Sequence, residues 1–290
     1  MILLQVSPDV LQILPETPES PVPVPTKGIR MRIALGVEYD GSKFSGWQSQ
    51  TDSVRTVQST LERALSQVAS RKVAVVCAGR TDAGVHATQQ VVHFDCEARR
   101  PDKAWVLGTN SNLPSDVAVR WVRRVSDEFH ARFDARARTY RYLIKVGPAR
   151  PALDRHRVAW QRQPLDVALM DTAAQQLIGR HDFSSFRASQ CQAKSAVRQV
   201  ERISARCSDS RIVIDVEANA FLHHMVRIIV GSLLPIGRGE KPVGWLAEIL
   251  ESRDRRVAGK TADAQGLYLT AVRYDERLCL PCSTADPVQR

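Results

Sequence analysis

A ten-residue segment, AGRTDAGVHA at residues 78–87, places an arginine, an aspartate and a histidine beside two glycines. The flanking segments, VAVVC and QVVHFD, are typical of β-strands. One interpretation is a long hairpin connection whose turn is Asp82-Ala-Gly84, with Gly84 at positive φ. A short hairpin needs only one polar turn residue, so the density of Arg80, Asp82 and His86 favours a loop that carries side chains for chemistry.

The composition indicates a globular protein with a polyanionic partner. The 290 residues are 43% hydrophobic and 25% charged, and the net charge is +10. Such an excess of positive charge favours nucleic acid as the partner, with a membrane surface as the second candidate. The longest apolar stretch, MVRIIVGSLLPIG, is interrupted by Arg227, and this pattern predicts no membrane-spanning helix.

The two ends of the chain are predicted to be unstructured. Six prolines with interspersed acids in the first 25 residues predict a disordered leader over residues 1–30. This segment has neither the basic start of a secretory signal nor the arginines of a transit peptide, so we expect a cytoplasmic protein. A flexible tail is predicted over residues 277–290.

Hydrophobic periodicity predicts a first half over residues 31–134. The predicted strands lie at 31–39, 73–78, 90–95 and 116–125. A helix over 56–69 follows the N-cap Thr56, and a second helix begins at Pro101. The order is β-α-β-β-α-β, which is the ferredoxin-like arrangement.

The second half, over residues 135–276, repeats this order with insertions. Its predicted strands lie at 138–146, 156–160, 199–207, 211–218 and 266–274, and its predicted helices at 167–179, 221–234 and 242–252. The predicted fold class is therefore α+β, with two ferredoxin-like halves that face each other across a basic central cleft. Two such sheets resemble a pair of RNA-recognition platforms.

Positive charge is concentrated at the junction between the halves. Residues 120–157 contain eleven lysines or arginines and four aspartates or glutamates. Such runs are usually solvated surface. Because this run spans the expected cleft, we interpret it as a surface that follows a phosphate backbone.

The cysteines and histidines do not predict a metal site. Cys279 and Cys282 supply half of a zinc site at most, and no second CxxC occurs. His93 and Cys96 would point to opposite faces of a strand. We therefore expect reduced cysteines and no bound metal or cofactor.

Seven segments together resemble the tRNA pseudouridine synthase A family. They occur in the family's order and are YDGSKFSGWQSQ (39–50), TVQSTLERAL (56–65), GRTDAGVHATQQVVHF (79–94), ARTYRYLI (137–144), HDFSSFR (181–187), FLHHMVRIIVG (221–231) and GLYLTAVRY (266–274). The resemblance covers about residues 31–276 and implies the pseudouridine synthase fold. One departure is Asp263, close to the position before GLYL where the family usually has a proline.

The resemblance implies an isomerase that converts uridine to pseudouridine at positions 38, 39 and 40, in the anticodon stem-loop of tRNA. Asp82 matches the family's nucleophile. The base would be detached from C1′, turned over and reattached through C5 without cofactor or metal. Attack at C1′, attack at C6 and removal of a sugar proton all remain open. The family also implies a homodimer in which one tRNA touches both subunits.

Three further residues match the family's site. Arg80 resembles an arginine that enters the helical stack in place of the flipped base. Tyr140 matches a tyrosine that stacks on the target uracil, whereas we expect Tyr142, on the same strand face, to pack in the sheet. Arg227 matches an arginine that pairs with the nucleophile. Its alternative role is a helix charge that reaches solvent, but its neighbours are apolar.

Several other polar residues lie in or near the matched segments. Lys43, Arg132, Arg138 and Arg141 are candidate phosphate contacts. His86, His223 and His224 stay outside the predicted catalytic set, because uridine isomerisation needs no strong imidazole base.

Two other classes of function fit part of the pattern. A non-catalytic RNA-binding protein with two platforms would explain the charge, but not the loop with Arg80 and Asp82. A metal-dependent nuclease would use Asp40, Asp82 and Asp95 and would lose activity in EDTA.

Overall fold

A computed structural model describes residues 30–51, 53–208 and 210–281 of the chain. The predicted leader lies outside the described residues apart from Arg30. The predicted tail is described only as far as residue 281, so Cys282 also lies outside. None of the helices within the described ranges has the length and hydropathy needed to cross a membrane.

The first half has the predicted order of elements. Its strands and helices are β1 (Met31–Tyr39), α1 (Val57–Ala69), β2 (Val76–Cys77), β3 (His86–Cys96), α2 (Asp102–Asn112) and β4 (Val117–Val125). β2 is shorter than predicted, and β3 begins earlier than predicted. The loop between them is therefore shorter than the sequence pattern indicated.

Helix α1 illustrates why these elements form where they do. The Thr56 side chain accepts a hydrogen bond from the Ser59 N–H and so caps the first turn, as predicted. Val57, Leu61 and Leu65 recur at helical spacing and are fully buried. The cap and the apolar stripe together determine where the helix begins and which face packs on the sheet.

The second half also follows the predicted order, with one further short strand. Its elements are β5 (Ala137–Val146), β6 (Ala159–Gln161), α3 (Val167–Gln175), β7 (Gly179–Asp182), β8 (Val197–Ser208), β9 (Arg211–Ala218), α4 (Met225–Gly237), α5 (Trp245–Ser252) and β10 (Leu267–Arg273). Gly179, at φ 112°, begins β7 and does not end the preceding helix directly. Helix α4 begins at Met225 and not at residue 221. The side chains of residues 221–224 therefore do not point as they would in a helix.

The two halves share one continuous sheet, so they do not form two separate sheets that face each other. The strand order is β4-β1-β3-β10-β5-β9-β8-β7, with β2 paired to β3 and β6 paired to β5. The parallel pairing of β3 with β10 joins the halves through the contacts of His86 with Tyr268 and of Ala87 with Leu269. The predicted α+β class with two ferredoxin-like halves is confirmed.

The 78–87 loop lies where the sheet passes from one half to the other. β2 pairs with the later part of β3, at Val92 and His93. β10 pairs with the beginning of β3, at His86 and Ala87. Because β1 occupies the opposite edge of β3, the loop must leave the sheet between β2 and β10. The topology therefore places the loop at the centre of the molecule.

Asp263 does not disturb the backbone at the position that departs from the family pattern. Its φ is −59°, which is close to the value that proline imposes. Its carbonyl accepts a hydrogen bond of 2.8 Å from the Tyr142 hydroxyl. Tyr142 is thus a buried packing residue, as predicted.

Helix α4 makes an unusually close contact with the chain at residues 259–262. A Cβ on Gly231 would lie 1.7 Å from the carbonyl oxygen of Lys260, and a Cβ on Gly259 would lie 2.3 Å from the carbonyl oxygen of Gly231. The Ala262 N–H donates to the Arg227 carbonyl at 3.0 Å. The two glycines allow this segment to pack directly on the helix that carries Arg227.

We predict that Gly231→Ala lowers the free energy of unfolding by roughly 1–3 kcal/mol or more, because the new methyl group overlaps backbone atoms that cannot move independently. Gly147→Ala is the matched control, since a Cβ there meets nothing within 4 Å. Chemical denaturation of both variants measures the effect. Equal stability of the two variants would contradict the close contact.

Candidate active site

Side chains of neighbouring strands hold the first part of the 78–87 loop. The Gln90 amide donates to the Gly79 carbonyl at 2.5 Å, and its carbonyl oxygen accepts from the Gly79 N–H at 3.3 Å. The buried Thr81 hydroxyl bonds the Tyr39 hydroxyl at 2.8 Å. These bonds fix the backbone on both sides of Arg80.

The second part of the loop is a tight turn, as the hairpin interpretation predicted. The Val85 N–H donates to the Asp82 carbonyl at 3.2 Å, and Gly84 adopts φ 77°. A Cβ on Gly41 would lie 1.9 Å from the Val85 carbonyl oxygen, so the 39–50 segment packs directly against the turn. The loop can therefore be both a hairpin turn and a carrier of chemical groups, because the turn directs the Asp82 side chain between the two halves.

The Asp82 carboxylate contacts three side chains from the other half of the chain. Arg227 Nη1 lies 3.3 Å from Oδ2, His223 Nε2 lies 3.3 Å from Oδ1, and His224 Nε2 lies 3.5 Å from Oδ2. The Asp82 side chain is 21% exposed. The carboxylate is thus held in a fixed orientation while one side of it remains open.

The contact between Arg227 and Asp82 that the resemblance nominated is present. The Arg227 side chain is only 15% exposed, and its Nε donates to the Ala262 carbonyl at 2.8 Å. An unpaired guanidinium in this position would carry a large desolvation cost. Asp82 compensates the charge, and Ala262 fixes the plane of the guanidinium.

The histidine pair is the feature that sequence reasoning missed. His224 adopts the left-handed conformation at φ 62° immediately before α4, and its ring lies 4.0 Å from that of His223 between centroids. A helix that began at residue 221 would direct consecutive side chains about 100° apart. The left-handed residue instead brings both Nε2 atoms to one carboxylate.

Burial lowers the pKa of His224, with the charges of His223 and Arg227 acting in the same direction and Asp82 opposing them. The neutral imidazole is therefore favoured at neutral pH. A neutral ring can donate one N–H to Asp82 without placing a full positive charge beside it.

Tyr140 lies at the base of the site beneath the loop. It is 7% exposed, and its ring packs edge-on against Phe221 at 5.0 Å between centroids. A Cβ on Gly79 would lie 3.7 Å from the Tyr140 hydroxyl. Burial raises the pKa of this hydroxyl and the charge of Asp82 raises it further, so the phenol stays protonated at neutral pH.

Arg80 differs from Asp82 and Arg227 because its side chain is exposed. Within the described residues it has no hydrogen bond or ion pair. Since its backbone is fixed on both sides, the long side chain is free to extend from a rigid base into the cleft.

Both halves line a cavity of about 1020 Å³ around these residues. Its charged lining, within the described part of the chain, consists of four arginines and one carboxylate, namely Arg80, Arg132, Arg138, Arg198 and Asp82. Tyr140, His223 and His224 also line it, whereas Arg227 lies behind Asp82. The predicted basic cleft is thus present, and its volume is at the upper end of ordinary ligand sites.

Arg138 is not placed as a phosphate contact requires. It is buried, and all five of its N–H groups donate to backbone carbonyls. The acceptors are the carbonyls of Ala78, Arg132, Ala135 and Asn219, at distances of 2.6–3.3 Å. A guanidinium with every donor engaged has none left for a phosphate, so Arg138 instead ties the start of the 78–87 loop to the chain before β5.

Arg141 and Lys43 also lie away from the cavity. Arg141 alternates with Tyr140 on β5 and pairs with Asp215 at 2.7 Å on the other face of the sheet. The assignment of Arg141 as a phosphate contact therefore does not fit the structure. Lys43 is exposed on the short helical turn Gly41–Lys43 and does not line the cavity. Arg132 is exposed at the cavity and keeps its assignment.

His86, which was left outside the predicted catalytic set, makes structural contacts. It is buried, its Nδ1 accepts from the Gly41 N–H at 3.1 Å, and its ring stacks on Tyr268 at 4.6 Å between centroids. These contacts attach the end of the 78–87 loop to β10 and to the turn that follows β1.

The arrangement that a three-aspartate nuclease requires is not found. Asp95 pairs with Arg32 at 2.7 Å. Across the described ranges, one group of three side chains has metal-ligand spacing, and it combines Asp82 with His223 and His224. Neither Asp40 nor Asp95 belongs to it.

Comparisons with known proteins identify the family of the chain. The chain matches the family described as tRNA pseudouridine synthase over residues 36–134 and 173–275. It is 55% identical over 257 residues to the tRNA pseudouridine synthase A of Enterobacter sp. (strain 638), covering 89% of this chain and 95% of that protein. For the protein of the same name from Shewanella denitrificans the identity is 54% over 258 residues, with coverages of 89% and 98%. For that from Pseudomonas aeruginosa it is 55% over 250 residues, with coverages of 86% and 88%. The chain belongs to the tRNA pseudouridine synthase family.

We predict that Arg138→Met lowers the free energy of unfolding by about 3 kcal/mol or more, because four carbonyls lose their donor and each buried unsatisfied group costs about 1–3 kcal/mol. Arg132→Met, an exposed change in the adjoining loop, should alter stability by no more than about 0.5 kcal/mol. Urea denaturation monitored by circular dichroism compares the two variants. A mild effect of Arg138→Met would restore this residue as a candidate for contact with RNA.

Proposed function

We propose that this protein converts uridine to pseudouridine in tRNA, at positions 38, 39 and 40 of the anticodon stem-loop. The observation that carries the proposal is the Asp82 carboxylate, held by Arg227 and two histidines on one side and open to a basic cavity on the other. Membership of the tRNA pseudouridine synthase family supports the reaction. The family resemblance nominates the three tRNA positions.

Asp82 acts as the nucleophile in this proposal. An ionised carboxylate can form a covalent bond to sugar or base and later release it. Arg227 lies behind the carboxylate and outside the cavity lining, so it can hold the charge in place without occupying the substrate's position. The reaction detaches the uracil from C1′, turns it over and rejoins it through C5, so substrate and product have the same atoms and no redox partner is needed.

Arg80 and Tyr140 serve the flipped nucleotide. A stacked base must leave the helix before an enzyme can reach its glycosidic bond. The exposed Arg80 side chain, two residues before Asp82, is suited to fill the space that the base leaves. The Tyr140 ring lies in the cavity wall beside the loop and would contact the uracil, with a protonated hydroxyl available for proton exchange.

The phosphate contacts are proposed for the exposed cations near the cavity. Arg132 remains the best supported of the original set, with Lys43 further away. Binding through such residues releases counterions from the RNA backbone, so affinity should depend on salt. We also propose a cytoplasmic homodimer in which one tRNA touches both subunits. Light scattering of the purified chain with and without tRNA measures the number of subunits.

A non-catalytic RNA-binding protein is the alternative function. It would account for the basic cavity and for the exposed Arg80. It gives no reason for a carboxylate at the centre of a phosphate-binding surface, since the negative charge of Asp82 opposes RNA binding. The orientation of Asp82 by three side chains therefore favours catalysis.

We predict that Asp82→Asn abolishes pseudouridine formation while the variant still folds and binds tRNA, because the amide keeps the shape of the side chain but loses its charge and nucleophilicity. The loss of the charge that compensates Arg227 lowers the free energy of unfolding without unfolding the protein. Single-nucleotide mapping of pseudouridine in tRNA incubated with purified wild-type and variant protein measures activity and position together. Activity of the variant within about tenfold of wild type would remove Asp82 from its role. Modification outside positions 38, 39 and 40 would contradict the proposed specificity.

A further inference from the structure

The loop between β4 and β5 exposes a large aromatic ring beside the cavity. Phe133 is 75% exposed, although most large apolar side chains of the described residues are buried. A single exposed apolar residue needs no explanation when it lies on a loose surface loop. The loop at residues 129–136 is instead held by many contacts, so the exposure of the Phe133 ring needs an explanation.

Side chains from several elements brace the backbone of the 129–136 loop. Hydrogen bonds to residues outside the loop include those of Arg32 to the Phe129 carbonyl at 2.9 Å, of the Tyr274 hydroxyl to the Ala131 carbonyl at 2.6 Å, of the Ala131 N–H to His93 Nδ1 at 3.0 Å, and of Arg138 to the Arg132 carbonyl at 2.6 Å. The fold therefore holds Phe133 in a fixed position while leaving its ring in solvent.

The orientation of the Phe133 ring is fixed as well. The His130 ring stacks on it at 4.1 Å between centroids and 25° between planes. His130 Nδ1 accepts from the N–H groups of both Arg132 and Phe133 at 3.2 Å. The Arg132 guanidinium carbon lies 5.8 Å from the ring centroid. One ring face is thus supported by an imidazole, and the remaining surface is accessible next to a cation.

The exposed ring is coupled to the active site through Arg138. This residue donates to the Arg132 carbonyl, next to Phe133, and to the Ala78 carbonyl at the start of the 78–87 loop. Arg132 itself lines the cavity. Phe133 therefore lies at the rim of the cavity, in a fixed relation to the loop that carries Asp82.

We propose that Phe133 is a stacking platform for an unpaired base of the RNA substrate, adjacent to the nucleotide in the cavity. Unpaired bases bind proteins by stacking on aromatic rings and guanidinium planes, and this tolerates every base because each has a π-face. The positive charge of Arg132 matches the flanking phosphate. A second copy of the chain is disfavoured as the occupant, because it would bring another Arg132 against the first. This proposal depends on the proposed function only for the identity of the RNA.

The test compares binding of two RNAs at one salt concentration: a stem-loop with an unpaired loop and a fully paired duplex of equal length. Phe133→Ala and Phe133→Leu should lower the affinity for the stem-loop by roughly 5- to 150-fold, the range expected for loss of one stacked base. Phe133→Trp should retain the affinity, and all three variants should bind the duplex as wild type does. Leu107→Ala, an exposed apolar position on α2, is the matched control. Thermal melting verifies that each variant is folded.

Three outcomes would overturn the platform. The first is that Phe133→Ala binds the stem-loop with wild-type affinity. The second is that Phe133→Leu does so, which would indicate a simple apolar contact. The third is that Phe133→Ala dissociates a dimer in the absence of RNA. Binding is measured without the isomerisation reaction, so the two proposals fail separately. A protein that requires Phe133 for stem-loop binding but forms no pseudouridine would contradict the proposed function alone.

Discussion

The contact between Asp82 and Arg227 is the interaction on which the rest of the site depends. Asp82 comes from the loop between two strands of the first half, and Arg227 comes from a helix of the second half. Neither charge can be buried alone at low cost, because removal of one partner leaves the other desolvated and uncompensated. The packing of the two halves therefore also determines the orientation of the Asp82 carboxylate.

Several other features serve this contact. The parallel pairing of β3 with β10 joins the halves immediately after the loop, and the glycine contact at α4 brings the Ala262 carbonyl to the Arg227 guanidinium. Arg138 fixes the beginning of the loop through the Ala78 carbonyl. Each feature helps to determine where the carboxylate points. The open side of Asp82 then faces a cavity whose remaining charges are positive.

Much of the fold could be predicted because it depends on local periodicity. Strand β1 and helix α1 have the predicted bounds, since alternation and an N-cap are visible in the sequence. The joining of the halves into one sheet was not predicted, because it depends on only two residue pairs between β3 and β10, which produce no recognisable pattern in the sequence. The histidine pair was missed for a similar reason: the left-handed backbone at His224 interrupts a continuous apolar run without a glycine to mark it. The assignment of Arg138 and Arg141 to phosphate is not supported, because sequence does not distinguish a cation bound by the protein's own acceptors from one that is free to contact RNA.

The most direct test of this account is a double-mutant cycle on the free energy of unfolding with Asp82→Asn, Arg227→Met and the double variant. If the two side chains compensate each other across the halves, the double variant is less destabilised than the sum of the single variants, by about 1 kcal/mol or more. Additivity within about 0.3 kcal/mol would show that the charges are independent and would contradict the central role of this contact.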